Sequence, residues 1–253
     1  MRNVILFMLG ALVAFGGVAF AETTRIEYSA AVLGAVEVGT VSYEVTTNEG
    51  AYSARANVRT SGLARLFDQT EITASSAGQL RQAAVAWSSY SLSHAYANKF
   101  RRVSMTRTGA GVDTAIEPRF GSMGDPPATA AQQFSAYDPL SGVFALGRQV
   151  GAAGACQGRV LVFDGRQHYE LALSPMSRGS VNRGGYNGPA LACAMRYRPI
   201  SGFTLSAAEI ARIPEGEAWF VERRDGGFAA PLRLSVNTPL GVARLDMTRY
   251  SVS

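Results

Sequence analysis

Short segments in which apolar and polar residues alternate recur along this sequence and limit the folds open to it. Residues 52–59 read Tyr-Ser-Ala-Arg-Ala-Asn-Val-Arg, which places every second side chain on the same face. An alternation of period two is typical of a β-strand with one buried side. The same pattern appears at 41–45, 169–173, 232–237 and 243–248. The sequence therefore predicts a mainly β protein.

Turn-forming residues separate these segments. They occur at 48–50, 77–78, 164–165, 225–227 and 239–241, and this spacing favours an antiparallel meander. Asp164-Gly165 suits the positive φ angles of a type I′ turn, so we expect a tight hairpin there. The predicted architecture is a long, curved antiparallel sheet, half-barrel or spiral-like, with two or three short helices that fill or cover its concave face.

The helices are predicted from their caps. Asp138 is an expected N-cap with Pro139 at the first helical position, followed by an apolar side formed by Leu140, Val143, Phe144 and Leu146, and this helix is expected to end near Gly147. A capping box at 206–209 starts a second helix that Pro214 stops. A single turn is expected at 62–67.

The first 21 residues have the pattern of a cleavable secretory signal. Arg2 precedes an apolar run from Val4 to Val18, and Ala19-Phe20-Ala21 is a small-x-small cleavage site. The run is short for a membrane span, which takes about 20 apolar residues. We therefore expect a signal peptide at 1–21 and an exported, soluble, periplasmic chain at 22–253 with no integral membrane segment. An outer-membrane barrel is the alternative.

Residues 22–253 are expected to form a single β-rich domain. A segment rich in glycine and proline, 120–129, is interpreted as a surface loop within that domain, and a domain boundary is the alternative. The formal net charge is +5 at pH 7, and Lys99 is the only lysine. Because the arginines are scattered and form no dense basic block, we expect no nucleic-acid partner.

The sequence contains two cysteines, Cys156 and Cys193. In an oxidising compartment an even pair of thiols is most simply a disulfide. A redox pair is the alternative, although the Cys-x-x-Cys spacing is missing. The two cysteines and the distant His94 and His168 have no recognisable metal-ligand spacing, so we expect no metal site and no cofactor.

Four short motifs give the sequence a resemblance to a known family. They are Val38-Gly39-Thr40-Val41-Ser42-Tyr43, Asp138-Pro139-Leu140-Ser141, Asp164-Gly165-Arg166-Gln167-His168-Tyr169 and Thr238-Pro239-Leu240-Gly241. With these motifs the chain resembles an exported, proteobacterial family of unknown function. The resemblance implies a periplasmic β-rich fold, similar in outline to half-barrels that carry lipids or lipoproteins and to the spiral sheets of envelope-integrity proteins. It implies no catalytic residues.

No residue pattern indicates catalysis. Ser141 lacks the leading glycine of a nucleophile elbow, and His94 or His168 could act as a general base only with a carboxylate nearby. A hydrolase with a noncontiguous site is therefore the weakest of three hypotheses, and we assign no catalytic residues.

Large aromatic residues suggest a different activity. Trp87, Phe144 and Trp219 are candidates for lining a cavity in the curved sheet, although packing in the core is the simpler interpretation of each. The leading hypothesis is a non-catalytic cell-envelope protein that binds an apolar ligand such as a lipid or acyl chain. The alternative is an envelope-maintenance factor that acts through contacts with another envelope protein.

Overall fold

The computed structural model describes residues 21–33, 36–66, 69–81, 84–97, 99–239 and 241–253. The predicted signal peptide, apart from Ala21, lies outside the described residues. The strands are β1 (Glu22–Val32), β2 (Val36–Asn48), β3 (Ala51–Thr60), β4 (Thr70–Arg81), β5 (Ala84–Tyr96), β6 (Lys99–Arg107), β7 (Val112–Glu117), β8 (Gly158–Phe163), β9 (His168–Arg183), β10 (Tyr186–Ser201), β11 (Gly216–Val221), β12 (Pro231–Thr238) and β13 (Gly241–Val252). The helices are α1 (Ala130–Ser135), α2 (Pro139–Ala153) and α3 (Ala207–Ile210), and a 3₁₀ turn spans Gly62–Leu66.

All thirteen strands belong to one antiparallel sheet, so the predicted mainly β class is confirmed. The sheet order is β7-β6-β5-β4-β3-β2-β1-β13-β12-β11-β10-β9-β8. Strands adjacent in sequence pair with each other on both sides of the centre, where β1 pairs with β13 from Thr24 opposite Val252 to Ala31 opposite Arg244. The two ends of the described chain therefore meet in the middle of the sheet, and β7 and β8 are its edges.

The two edges approach each other without closing the sheet through a strand ladder. The loop between β8 and β9 packs on β6 and β7, because a Cβ added at Gly165 would lie 2.7 Å from Val103 Cγ1 and 3.7 Å from Thr114 Cγ2. Val103 is buried and faces the interior. The sheet therefore rolls into an open spiral in which one edge lies against the inner surface of the other.

Helix α2 fills part of this interior. Asp138 caps it and Pro139 occupies its first turn, as predicted, and Leu140, Phe144 and Leu146 are buried. The predicted end near Gly147 is wrong, because the helix continues to Ala153 and ends at Gly154 in a left-handed conformation. Gly147 and Gly151 do not stop the helix.

These two glycines let the backbone of α2 lie close to the loop between β11 and β12. A Cβ at Gly147 would lie 2.5 Å from Phe228 Cε2, and one at Gly151 would lie 2.1 Å from the carbonyl oxygen of Gly227. Neither distance is compatible with a larger side chain, so the glycines serve packing.

The turn at Asp164 also differs from its prediction. Four residues, 164–167, connect β8 to β9, because Phe163 pairs with His168, so the expected type I′ turn is wrong. Asp164 Oδ1 instead accepts from the backbone N–H groups of Arg166 at 2.9 Å and Gln167 at 2.7 Å. A carboxylate that caps following amides is an alternative turn device for Asp.

The remaining short helices follow their caps. The capping box at Ser206 is confirmed, although α3 has one turn only, and the predicted turn after Ser61 is the 3₁₀ turn. Helix α1 begins with a further capping box, Thr129 with Gln132, and the segment before it contacts the β10–β11 connection, where Asp125 N–H donates to the carbonyl of Phe203 at 2.8 Å. In the described part of the chain, no helix has the length and apolar character needed to cross a bilayer.

The predicted disulfide is present in the structure. Cys156 and Cys193 are joined with a Cα–Cα distance of 5.4 Å, and both residues are buried. The bond links the segment after α2 to the inner side of β10, so the helix is covalently attached to the sheet near its C-terminal end.

Candidate functional site

An apolar cavity opens at one end of the spiral, and we call it the mouth. It has a volume of about 300 Å³ and contains one charged side chain. The residues that line it are Ala30, Ala31, Val32, Val38, Met195, Leu234, Ser235, Val236, Ala243, Arg244 and Leu245. Four of the strands that contribute these residues, β2, β1, β13 and β12, are consecutive at the centre of the sheet. The fifth, β10, lies nearer the β8 edge.

The register of the strands explains why this wall is apolar. Leu245 pairs with Ala30 on one side and Leu234 on the other, and Ala243 pairs with Val236. Side chains opposite each other in a ladder share a face, and Leu234 is also opposite Ala218, which is fully buried. The row therefore belongs to the inner face.

The mouth remains open because α2 fills the other end of the interior. The helix packs on the β11–β12 loop that precedes Pro231, whereas the mouth contains the later β12 residues Leu234 and Val236. At the C-terminal end of α2, Arg178 Nη2 donates to the carbonyl of Gly154 at 3.1 Å. One end of the interior is therefore filled by α2, and we call this filled end the floor. The mouth is the apolar opening at the other end.

A buried polar network fixes this floor to the sheet. Asp138 and Ser141 of the α2 N-terminus are completely buried, and Ser76 of β4 is 4 % exposed. Asp138 Oδ1 accepts from the N–H groups of Leu140 at 3.0 Å and Ser141 at 3.1 Å. Its Oδ2 accepts from Ser76 Oγ at 2.9 Å and also from Ser141 Oγ.

Tyrosines extend this network to the neighbouring strands. Tyr52 Oη lies 2.6 Å from Ser141 Oγ, and Tyr43 Oη donates to the carbonyl of Leu140 at 3.1 Å. Burial raises the pKa of Asp138, although its four hydrogen bonds oppose that shift. Every oxygen in the network has a hydrogen-bond partner within the protein. We therefore interpret the network as a structural one that attaches α2 to the sheet.

The three aromatic residues singled out from the sequence lie elsewhere. Phe144 is in the core, with its ring centroid 5.0 Å from Tyr52 and 5.5 Å from Phe228. Trp87 is 2 % exposed, and its Nε1 donates to the carbonyl of Ala136 at 2.8 Å. Both therefore hold the helices in place.

Trp219 is on the outer face of β11. Its neighbours along the strand, Ala218 and Phe220, point inward and are buried, whereas Trp219 lies over Gly179 and its Nε1 donates to Glu217. None of the three aromatic residues lines the mouth.

The structure also separates the residues considered for catalysis. His94 lines a second cavity on the inner face of β5, whereas His168 is 2 % exposed and pairs with Phe163 and Ser201. Neither ring nitrogen of His168 has a hydrogen-bond partner among the described residues, and burial lowers its pKa. Ser141 bonds to Asp138 and not to an imidazole, so the geometry brings no catalytic triad together.

The second cavity, which we call the seam pocket, lies where the two sheet edges approach. Its volume is about 260 Å³. It is lined by Leu92, His94, Tyr96, Arg101, Val103, Phe120 and Asp164. Strands β5 and β6 provide one wall, and the two loops that contain Phe120 and Asp164 provide the other.

A larger depression, of about 560 Å³, lies over β3 to β7. Six of its fourteen lining side chains are small and polar, such as Thr73, Ser75 and Ser91, and those on β4 are exposed and alternate with less exposed residues, which places them on the outer face. Its charged side chains are Arg55, Arg102 and Glu117, and they lie on this outer face. The mouth is the better candidate for a ligand site, since ligand cavities are lined mostly by apolar side chains.

Sequence reasoning missed the mouth because its residues are ordinary aliphatic side chains. The alternation at 232–237 and 243–248 identified their inward face, but only the pairing of β12 with β13 and β1 brings them together. The seam pocket was also missed, because Phe120 and Asp164 enter it from loops.

Comparisons with known proteins agree with this architecture and name no activity. A family model described as "Protein of unknown function (DUF3108)" matches residues 25–248. No curated protein matches the sequence. A β-barrel-like protein of the DUF1849 domain of unknown function from Brucella abortus is similar in structure, with a TM-score of 0.54 and 10 % identity over 91 % of this chain and 98 % of that one.

A second structural match is the hypothetical protein CT021 from Chlamydia trachomatis, with a TM-score of 0.24 and 10 % identity over 89 % of this chain and 86 % of that one. The similarity to the Brucella protein is a similarity of fold. It agrees with a rolled, barrel-like β sheet.

Proposed function

The chain belongs to the DUF3108 family of proteins of unknown function, and from this premise we propose that it is an exported, non-catalytic protein that binds the acyl chain of a lipid in its mouth. The observation that carries the proposal is the apolar mouth itself, about 300 Å³ in volume and open above a filled floor. Cavities of roughly 300–1,000 Å³ with apolar walls are typical of small-molecule sites.

The proposal explains why an apolar surface is left uncovered. Transfer of apolar surface from water contributes about 25 cal/mol per Å², so a folded chain normally covers such a wall with its own side chains. Helix α2 does this for one end of the interior and leaves Leu234, Val236 and Leu245 partly exposed at the other. An acyl chain matches this wall, because it offers apolar surface and requires no hydrogen bonds.

The location is part of the proposal. The signal pattern at 1–21 would deliver the chain to the bacterial periplasm, where acyl chains pass between membranes and where a disulfide is stable. The disulfide between Cys156 and Cys193 agrees with an oxidising compartment. Secretion of a full-length fusion to a reporter that is active only outside the cytoplasm, compared with a fusion that starts at Glu22, tests the location separately.

Ligand binding is tested with a neutral apolar dye, 1-N-phenylnaphthylamine, added to delipidated protein. We expect saturable fluorescence enhancement at micromolar concentrations of dye, and competition by a monoacylglycerol. Ala243→Trp fills the mouth from β13 and should reduce dye binding at least tenfold. Asn237→Trp adds the same ring to an exposed outer position of β12 and is the matched control.

Two results would overturn the binding proposal. One is an absence of saturable dye binding by the wild-type protein. The other is equal binding by both tryptophan variants, because the dye would then occupy a surface other than the mouth. Capture of a peptide segment in place of a lipid, seen by native mass spectrometry of protein from cell envelopes, would support the alternative of a protein-contact role.

A further inference from the structure

Two arginines converge on one aromatic ring beside the seam pocket. The guanidinium carbon of Arg101, on β6, lies 3.8 Å from the ring centroid of Phe120, and that of Arg166, in the β8–β9 loop, lies 5.1 Å from it. Arg101 is on the strand next to the edge strand β7, and Arg166 follows the opposite edge strand, β8. The aromatic ring of Phe120 therefore contacts two guanidinium groups next to the seam pocket.

These two arginines differ from the arginines of the protein that form ion pairs. Arg233 and Arg244, for example, both lie 2.8 Å from carboxylate oxygens of Asp246. Across the described residues, neither Arg101 nor Arg166 forms an ion pair with a carboxylate. The charge of Arg166 acts on Asp164, where it lowers the pKa of that carboxyl against the effect of burial, so Arg101 has the charge that is available to an external anion.

Several nitrogen atoms of this cluster are buried without a partner. They are Nε of Arg101, Nε of Arg166 and Nε2 of His94. A buried donor without an acceptor costs about 1–3 kcal/mol, so such groups are rare in a folded protein unless a water molecule or a ligand completes them. Two of these nitrogens, on Arg101 and His94, belong to residues that line the seam pocket, and they indicate a site that an acceptor completes.

Asp164 is the one carboxylate that lines the seam pocket. Its Oδ1 is occupied by the backbone N–H groups of Arg166 and Gln167. Burial raises its pKa, which weakens its repulsion of an anion. Two guanidinium groups therefore face a single carboxylate, and the cluster keeps an excess of positive charge.

A continuous inner row of side chains joins the seam pocket to the mouth. His94 pairs with Ile72, Ile72 with Val58, and Val58 with Val41. Val41 pairs in turn with Tyr28 of β1, two residues before the mouth residue Ala30. The seam pocket and the mouth therefore lie on the same inner surface, connected by apolar side chains.

We propose that the seam pocket binds an anionic group, a phosphate or a carboxylate, and that this group is the head of the lipid whose acyl chain lies in the mouth. This inference rests on the proposed function for its acyl chain and on the arginine cluster for its anion. Arg101 supplies the charge inside the pocket, His94 supplies a further donor, and Arg166 adds charge from the flank.

The test compares two lipids that share a chain and differ by a phosphate, 1-oleoyl-lysophosphatidate and 1-monooleoylglycerol. Both displace 1-N-phenylnaphthylamine from wild-type protein, and we expect the phosphate-bearing lipid to bind at least tenfold more tightly. Arg101→Gln should remove this preference while leaving monooleoylglycerol binding unchanged, and Arg101→Lys should restore part of it. Arg102→Gln, at the next, exposed position of β6, is the matched control and should change neither.

The outcomes separate this inference from the proposed function. Equal binding of the two lipids by the wild-type protein, or a preference that survives in Arg101→Gln, overturns the anion site and leaves the mouth proposal intact. If neither lipid nor dye binds, the mouth proposal fails, and calorimetry with inorganic phosphate decides on the anion site alone. Phosphate binding that Arg101→Gln abolishes would then support a site for a free anion, and no binding would overturn it.

Discussion

Removing the carboxylate of Asp138 should loosen the helix that forms the floor of the mouth. In Asp138→Ala, α2 loses its N-cap, which costs about 0.5–2 kcal/mol. The buried hydroxyls of Ser76, Ser141 and Tyr52 then have only one another as partners, so one of the three O–H groups is left without an acceptor, and an unsatisfied buried group costs about 1–3 kcal/mol. We therefore expect the free energy of unfolding to fall by roughly 2–5 kcal/mol.

Asp138→Asn separates the hydrogen bonds from the charge. Its amide oxygen can still accept from the N–H groups of Leu140 and Ser141, and its NH₂ group can donate to the hydroxyls of Ser76 and Ser141, which can accept. The loss at neutral pH should therefore be much smaller than in Asp138→Ala.

The pH dependence has a defined sign. Burial raises the pKa of Asp138 in the folded protein, so the folded chain keeps its proton at pH values where the unfolded chain, with a pKa near 3.9, has lost it. The stability contributed by the protonated form is present below that unfolded value and is lost as pH rises through the folded pKa. Asp138→Asn has no such titration, and it should gain relative to the wild type as pH rises from about 4 to 7.

Urea denaturation of residues 22–253 with the disulfide intact, at several pH values, measures all three effects. The expected loss in Asp138→Ala corresponds to a melting temperature lower by roughly 5–15 °C for a domain of this size. The interpretation that the network attaches α2 to the sheet is refuted if Asp138→Ala is within about 0.5 kcal/mol of the wild type, the size of an ordinary surface substitution. A wild-type minus Asp138→Asn difference that is constant with pH would refute the account of its burial.

Two further predictions concern the attachment of α2. Cys156 and Cys193 are 37 residues apart, so reduction of their disulfide should lower the free energy of unfolding by about 4 kcal/mol in the chain-entropy model, as measured by urea denaturation with and without reductant. Denatured, unreduced protein should contain no thiol that reacts with maleimide, and two reactive thiols would disprove the bond. Gly151→Ala should lower the free energy of unfolding by about 1–3 kcal/mol, because its Cβ would lie 2.1 Å from a carbonyl oxygen. Gly109→Ala, with open space around the new Cβ, is the control and should leave the melting temperature nearly unchanged. Equal effects of the two substitutions would contradict the packing role of Gly151.

The strands could be predicted from the sequence because the sheet keeps one buried face along most of its length. Tyr52 and Ala54 are buried while Ser53 and Arg55 are exposed, so the alternation reports a real difference in environment. Helix α2 was recognised from Asp138 and Pro139 for a similar reason, since its cap satisfies backbone N–H groups locally.

Its length was not predictable in the same way, because Gly147 is read locally as a stop signal. In the fold, Gly147 meets Phe228 and Ala229, some 80 residues later. Tertiary packing determines the role of this glycine.

The sequence predicted the type of candidate site but not the residues that form it. An apolar cavity in a curved sheet was expected, but large aromatic residues were taken as its lining, and Trp87 and Phe144 are instead the residues large enough to fill the floor. The mouth residues Ala30 and Ala243 are small, and their position depends on the pairing of β1 and β13. That pairing joins strands more than 200 residues apart, which no local pattern reveals.

The pairing of β1 with β13 also sets the order in which the fold can be completed. β13 is the last of the thirteen strands in chain order, yet it occupies the centre of the sheet. Until β13 has been synthesised, β1 has an unpaired edge, which is a template for aggregation. In a chain of this topology the sheet is therefore completed only by the last strand in chain order, because β13 joins the two halves of the sheet through β1 and β12.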